Sequence, residues 1–569
     1  MPRPKLNKPR NGVSDVLVGD FETTTDPNDC RVWLWAIASV STGEAVAYGL
    51  DILSFIQWCA KRNSQISFHN LKFDGCFILD WLLNNGYVHA EKRALPGQFT
   101  TLISAQGQFY SINVTWSNGH RTEFRDSFKK LPMTVAQIAK SFKLDESKGE
   151  IDYDAPRPVG YTPTDEELEY VYNDVTIVAK ALAQQNEQGL SRLTIGSDAL
   201  KTFETGFGGK YRRVFPVLAD SVDSDIRRAY RGGFTYVDPR YKARLLGAGH
   251  VFDVNSLYPS VMYDRPMPYG EPKFSSSGMP EPTKEWPLYV MTVVFTAKLK
   301  PGHIACIPIS GGGRFGGAAI YAEEIIEPRQ FSCTNVDWDL WNRHYDIQVI
   351  AYDGAWGFRA TTGLFTDYID RWIKVKQEST GGTREIAKLM LNSLYGKFAT
   401  NPDITGKYPQ LVYSKQFDRP VLELKRGPDD WREPVYTPVG VFITAYARDV
   451  TISAAQNNYD TFAYCDTDSL HLITPNMPEN LDIDPTRLGA WKHEMSFQAA
   501  WFERAKCYTE QTWNGELHTK VAGLPREVSS RITFDDYTKP AVHHGKLAPQ
   551  RVPGGVVLVP VPFTLNTQH

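Results

Sequence analysis

VFDVNSLYPS, residues 251–260, reads as a buried strand that ends on a carboxylate, Asp253, and runs into a turn at Pro259. Its counterpart is YCDTDS (464–469), inside TFAYCDTDSLHLI (461–473), which reads as a hairpin with Asp466 and Asp468 at its turn. A strand-end aspartate is a modest signal, and an Asp-Thr-Asp turn is most often only a turn. More than 200 residues separate the two acids. Only a fold can bring them together.

Between them lies TREIAKLMLNSLYG (383–396), read as part of a helix over 383–398 that starts after the Gly381-Gly382 break. Arg384, Lys388, Asn392 and Tyr395 fall on one stripe of it. Two cations followed by an amide and an aromatic ring suit a triphosphate at one end and a base at the other. Lys376 adds a third cation if the chain folds back. A plain amphipathic helix with solvated basic residues explains the stripe equally simply. Ile386, Leu389, Met390 and Leu394 bury the other side under either reading.

A second set of acids lies nearer the N-terminus. Asp20 and Glu22 sit two apart on a strand predicted over 16–23, so their side chains leave the same face. Composition alone yields roughly seven acid-x-acid pairs by chance, so the pair proves little. Asn70 and Asp74 lie in FHNLKFDG (68–75), and Asp126 and Ser127 in RDSFKKLP (125–132). A helix is predicted over 164–182, with a Thr164/Glu167 capping box and a Val171, Val175, Val178 stripe. Tyr170 and Asp174 share one face of it. In isolation such a pair is usually solvated. In company it offers a carboxylate beside a phenol that can orient water.

The remaining composition excludes several classes. The chain has 569 residues, enough for several domains, with 42% hydrophobic and 22% charged residues. Its net charge of −3 neither supports nor excludes nucleic acid. Seven scattered cysteines with no CxxC argue against a zinc ribbon or a disulfide framework and fit a reducing compartment. No apolar run reaches membrane-spanning length, and the basic stretch MPRPKLNKPRNG lacks the apolar segment of a signal peptide. A cytoplasmic monomer is expected. Gly-, Pro- and Ser-rich stretches at 270–287 and 301–317, including 311–313 and 316–317, and a polar stretch at 400–434 read as irregular insertions. PGGVVLV (553–559) reads as a turn followed by a strand. The class is α+β.

Taken together, DFE (20–22), NLKFD (70–74) and YVYND (170–174) resemble the three exonuclease motifs of family B DNA polymerases. The segments around 253, 388–396 and 464–469 resemble that family's polymerising motifs, in the same order. The resemblance implies an RNase H-like 3′→5′ exonuclease followed by a right-hand polymerase of palm, fingers and thumb. It puts metals on Asp20, Glu22, Asp74 and Asp174, with Tyr170 positioning water and Lys148 catalytic. It puts the polymerising metals on Asp253, Val254 and Asp468, with Asp466 in support. Two Mg²⁺ per site are implied, with Mn²⁺ able to substitute. Lys376, Arg384, Lys388 and Asn392 become nucleotide contacts, Tyr395 packs under the nascent base pair, and Tyr258 excludes a ribose 2′-OH. YRGGF (230–234), with Tyr230, Gly232 and Gly233, and KCY (506–508), with Lys506 and Tyr508, resemble segments that hold template and primer.

More narrowly, KGEIDY (148–153), RPVGY (157–161), PVYTPVGVFITA (434–445) and PGGVVLV are similar to the protein-primed, φ29-type subgroup. That likeness implies single-stranded DNA contacts at His69, Asn70, Phe73, Ser127, Phe128 and Tyr153. It implies an exonuclease over 1–194, palm over 195–264 and 433–524, and fingers over 364–400. It also implies terminal-protein-region insertions over 265–363 and 401–432, and a thumb over 525–569. Primer-template DNA, dNTPs and a terminal protein primer are the implied partners. Phe128 stands where an aliphatic residue is the subgroup's pattern, and the stretch from Lys506 to Lys520 is shorter than the subgroup norm. Two other readings compete: an oligonucleotide-primed repair enzyme or exonuclease with a vestigial polymerase half, and a non-catalytic DNA-binding scaffold.

Overall fold

The computed structural model describes residues 15–276, 279–310, 319–539 and 542–565. The basic N-terminal stretch and the 311–317 glycine run lie outside them. The strand expected over 16–23 forms as Asp15–Thr23 and sits within an eight-stranded sheet. It pairs antiparallel with Val32–Ser39 and parallel with Ser64–Phe68, which runs parallel to Arg121–Asp126. With Ala45–Gly49 outermost beyond Val32–Ser39, this is the RNase H-like strand order. The helix Leu71–Asn84 follows the third of these strands, and the long helix Asp165–Glu187 packs against the first. The Thr164/Glu167 capping box is present, and Val171, Val175 and Val178 are buried.

A second sheet is antiparallel throughout. Its order is Leu517–Val521, Cys507–Thr512, Trp491–Arg504, Gly249–Val254, Ser469–Leu472, Phe462–Asp466 and Thr235–Val237. Asp253 lies opposite Ser469, and Ser469 also closes the hairpin with Asp466. This register makes one site of acids more than 200 residues apart. The helix Thr437–Asn457 packs beneath, buried on nearly all sides, which its run of small and apolar residues permits.

The structure corrects three sequence expectations. Pro259 marks no turn: it lies in the first turn of the helix Leu257–Asp264, where its missing N–H costs nothing. The glycines before the basic stripe do not precede the helix but begin it, as Gly381–Ser393. A Cβ on Gly382 would stand 2.0 Å from Gln184 and 2.4 Å from Phe142, so glycine is what lets this helix abut the N-terminal unit. The same helix stops at Ser393, and Tyr395–Phe398 is a separate short turn of helix.

The third correction concerns the stretches read as irregular, which hold strand residues at 270–275, 307–310, 407–414 and 419–426. Met267–Ser275, Tyr345–Thr361, Leu288–Leu299 and Glu324–Thr334 form a four-stranded sheet covered by the helix Asn335–His344. Lys407–Ser414 and Arg419–Arg426 form a hairpin. Their glycines and prolines mark turns and edges, and the strands between were masked by polar outward faces. The expected turn and strand at 553–559 belong to the hairpin Val542–Val552/Gly555–Thr564. This C-terminal hairpin reaches back across the molecule. Val552, Val556 and Val557 are buried in the core of the N-terminal sheet, alongside Phe77, Cys30 and Cys76. Gly554 and Gly555 have no room for a side chain there, with Cys30 O at 2.3 Å and the Phe77 ring at 2.5 Å from an added Cβ. All seven cysteines are free and buried.

Candidate active sites and nucleic-acid interface

The N-terminal acids converge at the end of the first sheet. Asp20 and Glu22 share a strand face. Asp74 arrives on the first turn of Leu71–Asn84, which starts after a left-handed Asn70, and Asp174 arrives from the long helix. Glu22, Asp74 and Asp174 are buried, at 5%, 4% and 5% exposure. Burial and the nearby Asp174 push Asp20 up to about 7. Burial, then Asp20, lift Glu22 and Asp74 well above the usual carboxylate range. Burial raises Asp174 as well, although Lys148 Nζ donates to it at 2.7 Å. A buried face with four acids and one lysine is short of positive charge. It is an oxygen-rich donor set of the kind hard divalent cations take. Among the described residues no three such side chains already have the spacing of a coordinated ion. Mutual repulsion opposes closer approach.

The flanking residues are engaged with one another. The Tyr153 and Tyr170 hydroxyls lie 2.8 Å apart, and the Tyr170 ring is buried, so the pair with Asp174 is not a solvated one. His69 Nδ1 lies 3.1 Å from Ser127 Oγ, and its Nε2 lies 2.7 Å from the Met133 carbonyl. Ser127 is buried and also donates to Phe68 O. Asp126 caps the turn, accepting from the Asn70 and Phe128 amides. Phe128 is 39% and Tyr153 52% exposed, while Asn70 is exposed and Phe73 half-buried. Of the single-strand contacts expected, the exposed aromatic edges and Asn70 face solvent, and Ser127 braces them from beneath.

The second site is more open. Asp253 is half-buried and Asp468 exposed. The Val254 amide donates to the Asp468 carbonyl at 2.8 Å, which locks strand end to turn. Burial, then Asp468 and Glu494, push Asp253 up to about 6. Burial and Asp466 raise Asp468, while Lys520 and Lys506 pull it down. Asp466 accepts from Thr235 Oγ1 at 2.9 Å and from Lys506 Nζ at 2.8 Å on both oxygens. Thr467 sits at φ 65° and donates its amide to Phe234 O at 2.7 Å. A Cβ on Gly233 would lie 2.7 Å from Thr467, so the second glycine of YRGGF is fixed by contact with the acidic turn. Gly232 has open space around it, and Tyr230 lies near Tyr258 and Tyr395.

Asn70, Ser256, Thr467 and Lys506 all hold positive φ without being glycine. Each lies beside one of the two carboxylate sets. Such strained backbone concentrates where a site needs an unusual chain direction.

The cation stripe faces the second site. The helices Thr366–Glu378 and Gly381–Ser393 fold back on each other, and Arg384 Nη1 donates to Lys376 O at 2.7 Å. Burial, then Arg384 and Lys388, lower the Lys376 ammonium, while Glu385 pulls it partly back up. Lys388 leans on Glu385 at 2.6 Å. Asn392 is exposed. Tyr395 stacks on Tyr258 with ring centroids 3.8 Å apart and planes 17° from parallel. Ile386, Met390 and Leu394 are buried, and Leu389 partly so.

The Tyr508 ring is buried with Tyr464, His471 and Phe502 beneath the site. Lys492, Glu494 and Lys520 were missed by sequence reading. Their place beside Asp253 follows from strand register, which no local motif carries.

The comparisons agree with this geometry. Residues 57–162 and 155–485 match the family described as DNA polymerase type B, organellar and viral. The chain is 43% identical to the DNA polymerase of Bacillus phage Nf, with 96% of this chain and 99% of that one covered. It is 41% identical to that of Bacillus phage phi29 over 96% of this chain and 98% of that one. The chain belongs to the φ29-type family B DNA polymerases. It superposes on phi29 DNA polymerase complexed with primer-template DNA at a TM-score of 0.91 and 40% identity, covering 97% of this chain and all of that one. It does so at 0.90 on the same polymerase with primer-template DNA and incoming nucleotides. The fold is therefore a multidomain exonuclease-plus-polymerase architecture, and the chain is a replicative, DNA-directed DNA polymerase. No helix among the described residues is long and apolar enough to cross a membrane.

Proposed function

We propose that this polymerase also removes nucleotides from 3′ ends in its N-terminal site, and that it copies linear DNA from a protein primer with displacement of the non-template strand. The observation that carries the proofreading reading is the cluster of Glu22, Asp74 and Asp174, buried together beside Asp20 with Lys148 paired to Asp174. Asp20, Glu22, Asp74 and Asp174 would hold Mg²⁺ there, and Asp253, Asp468 and the Val254 carbonyl would hold it at the second site. Mn²⁺ can take its place. Such ions supply Lewis-acid activation of the attacking oxygen and neutralise the leaving one.

The chain's own residues do the rest. In the N-terminal site Tyr170, held by Tyr153, orients the attacking water, and Lys148 fixes Asp174. Phe128, Tyr153, His69, Asn70 and Phe73 receive the unpaired 3′ end. In the second site Lys376, Arg384 and Lys388 bind the triphosphate, which draws Lys388 away from Glu385. Tyr258 bars a 2′-OH, and Tyr395 supports the new base pair from its stack. Lys506 steadies Asp466 beside the primer end. Priming by a terminal protein is supported by likeness over nearly the whole chain and by the folded insertions over 265–363 and 401–432. The enzyme is read as a cytoplasmic monomer.

The deciding experiment is a pair of assays with Mg²⁺ on Asp20→Ala: degradation of a single-stranded 3′ end, and extension of a primed template. Loss of degradation with extension kept supports the proofreading reading, and degradation at the native rate rejects it. Incubation with dNTPs and the proteins of the same genome tests priming. The expected product is a nucleotide linked to a protein hydroxyl. Extension of oligonucleotides alone rejects it.

A further inference from the structure

We propose that Arg157 is a positioning residue of the N-terminal site: its guanidinium fixes the loop that carries Lys148 and Tyr153 against the helix that carries Tyr170 and Asp174. Residues 143–164 form neither helix nor strand, so no regular ladder of backbone hydrogen bonds sets their course. Yet two side chains of this loop reach the site with defined geometry. Lys148 Nζ lies 2.7 Å from Asp174 Oδ2, and the Tyr153 hydroxyl lies 2.8 Å from that of Tyr170. Another group has to hold the loop in place.

Arg157 opens the segment RPVGY (157–161), and its side chain is only 4% exposed. Nη2 donates to Asp152 O at 2.7 Å and to Glu167 Oε1 at 2.9 Å, and Nε donates to the same Glu167 oxygen at 3.1 Å. Nη1 donates to Ala155 O at 3.3 Å and to Tyr153 O at 3.5 Å. Every N–H of the fork is thereby engaged. The guanidinium carbon also lies 4.3 Å from the centroid of the Trp33 ring. Trp33 is buried in Val32–Ser39, the strand paired with the one bearing Asp20 and Glu22. Glu167 completes the capping box of Asp165–Glu187, and Tyr170 and Asp174 follow one and two turns later. One side chain thus ties together the strand pair, the loop and the helix that furnish the site. Its charge is felt at Glu22 as well. Burying a guanidinium carries a desolvation cost that an apolar side chain would avoid. An apolar side chain, however, cannot gather three carbonyls of an irregular loop. Lysine, a point charge on a flexible stem, cannot reproduce the planar fork.

The inference rests on reading this site as the proofreading one. Its test uses the full chain with Mg²⁺. Arg157→Lys, Arg157→Ala and Asp20→Ala are compared, and the Arg157 variants are repeated in a background carrying Lys148→Ala and Tyr153→Phe. Degradation of a single-stranded 3′ end is followed in single turnover, as the saturating rate and the half-saturating DNA concentration. Primer extension and Tm report on the rest of the chain. Arg157→Lys is expected to lower the saturating rate about tenfold or more, the cost of losing a group that orients a reacting one, and to move the half-saturating concentration less. Extension should stay within about twofold. In the doubly substituted background Arg157→Lys should cost almost nothing further, because the side chains it positions are gone. Degradation at the native rate in either Arg157 variant overturns the proposal. So does an undiminished further loss in the doubly substituted background, or a lowered Tm with extension lost in step. Asp20→Ala should abolish degradation. If it does not, the proofreading reading itself fails, whatever Arg157 does.

Discussion

The N-terminal site draws four acids from residues 20–174 and hides three of them, whereas the second draws its pair from residues 253 and 468 and leaves both in partial or full contact with water. The charge balance differs as well. Lys148, with Arg157 farther off, tempers the first set, while Lys506 and Lys520 temper the second. A cation held at the buried set, as proposed, would relieve its repulsion, whereas the open set has solvent and neighbouring lysines. Two carboxylate sites can thus be tuned by depth and by the cations beside them.

The largest effects should separate the two. Asp468→Ala is expected to cut primer extension about 10³-fold or more, beyond the ten- to hundredfold that supporting groups cost, and Asp20→Ala to do the same to degradation. Each should leave the other activity within about twofold, since couplings beyond about 10 Å usually fade. Loss of both activities from either substitution would break the comparison. Next comes sugar selection. Replacing Tyr258 with Ala removes one ring of the 3.8 Å stack with Tyr395. Ribonucleotide incorporation should rise roughly 10²-fold, since a steric contact is what discriminates. Competitive incorporation of rNTP against dNTP measures it.

A third expectation follows from the raised acids. Asp20, lifted from 3.8 to about 7, keeps its proton in the folded state over a range where the unfolded chain has lost it. Its contribution to stability is therefore full below about pH 4 and is lost as pH rises through about 7. Without metal, Tm of the N-terminal unit should fall across that window. Mg²⁺ should restore more at pH 8 than at pH 5, and Asp74→Asn should flatten the dependence. A pH-independent Tm with chelator present would show that the acids are hydrated and not buried together. The smallest effect concerns Glu385, which holds Lys388 at 2.6 Å. Glu385→Gln should shift the dNTP KM only a few-fold, as partly exposed ion pairs contribute little.

Much of this was legible before any coordinates. The Asp20–Glu22 strand, the capped helix with Tyr170 and Asp174, and the Asp466/Asp468 hairpin each follow a local period or turn rule, and each formed. What escaped reading was set by long-range register. Lys492 and Glu494 become neighbours of Asp253 only because Trp491–Arg504 pairs with its strand across the sheet. Pro259 was misread because proline is as much at home in a first helical turn as in a bend. The polar stretch at 400–434 was misread because strands with exposed outer faces, such as Arg419–Arg426, look like polar loop. Tyr508 sits in a motif, but its burial depends on packing against Tyr464, His471 and Phe502, which no motif encodes.

The reach of the C-terminal hairpin into the N-terminal core has a consequence for biosynthesis. Gly554 and Gly555 close against Cys30 and Phe77, partners made hundreds of residues earlier. At common rates of chain elongation, roughly 25–100 s pass on the ribosome between the two. For that interval the outer face of Leu71–Asn84 waits uncovered, and the first unit to be translated is the last to be completed. Nascent chains should bind chaperones through that face, and stop codons placed shortly before 552 should yield an aggregation-prone product even though the motifs for both sites are already present.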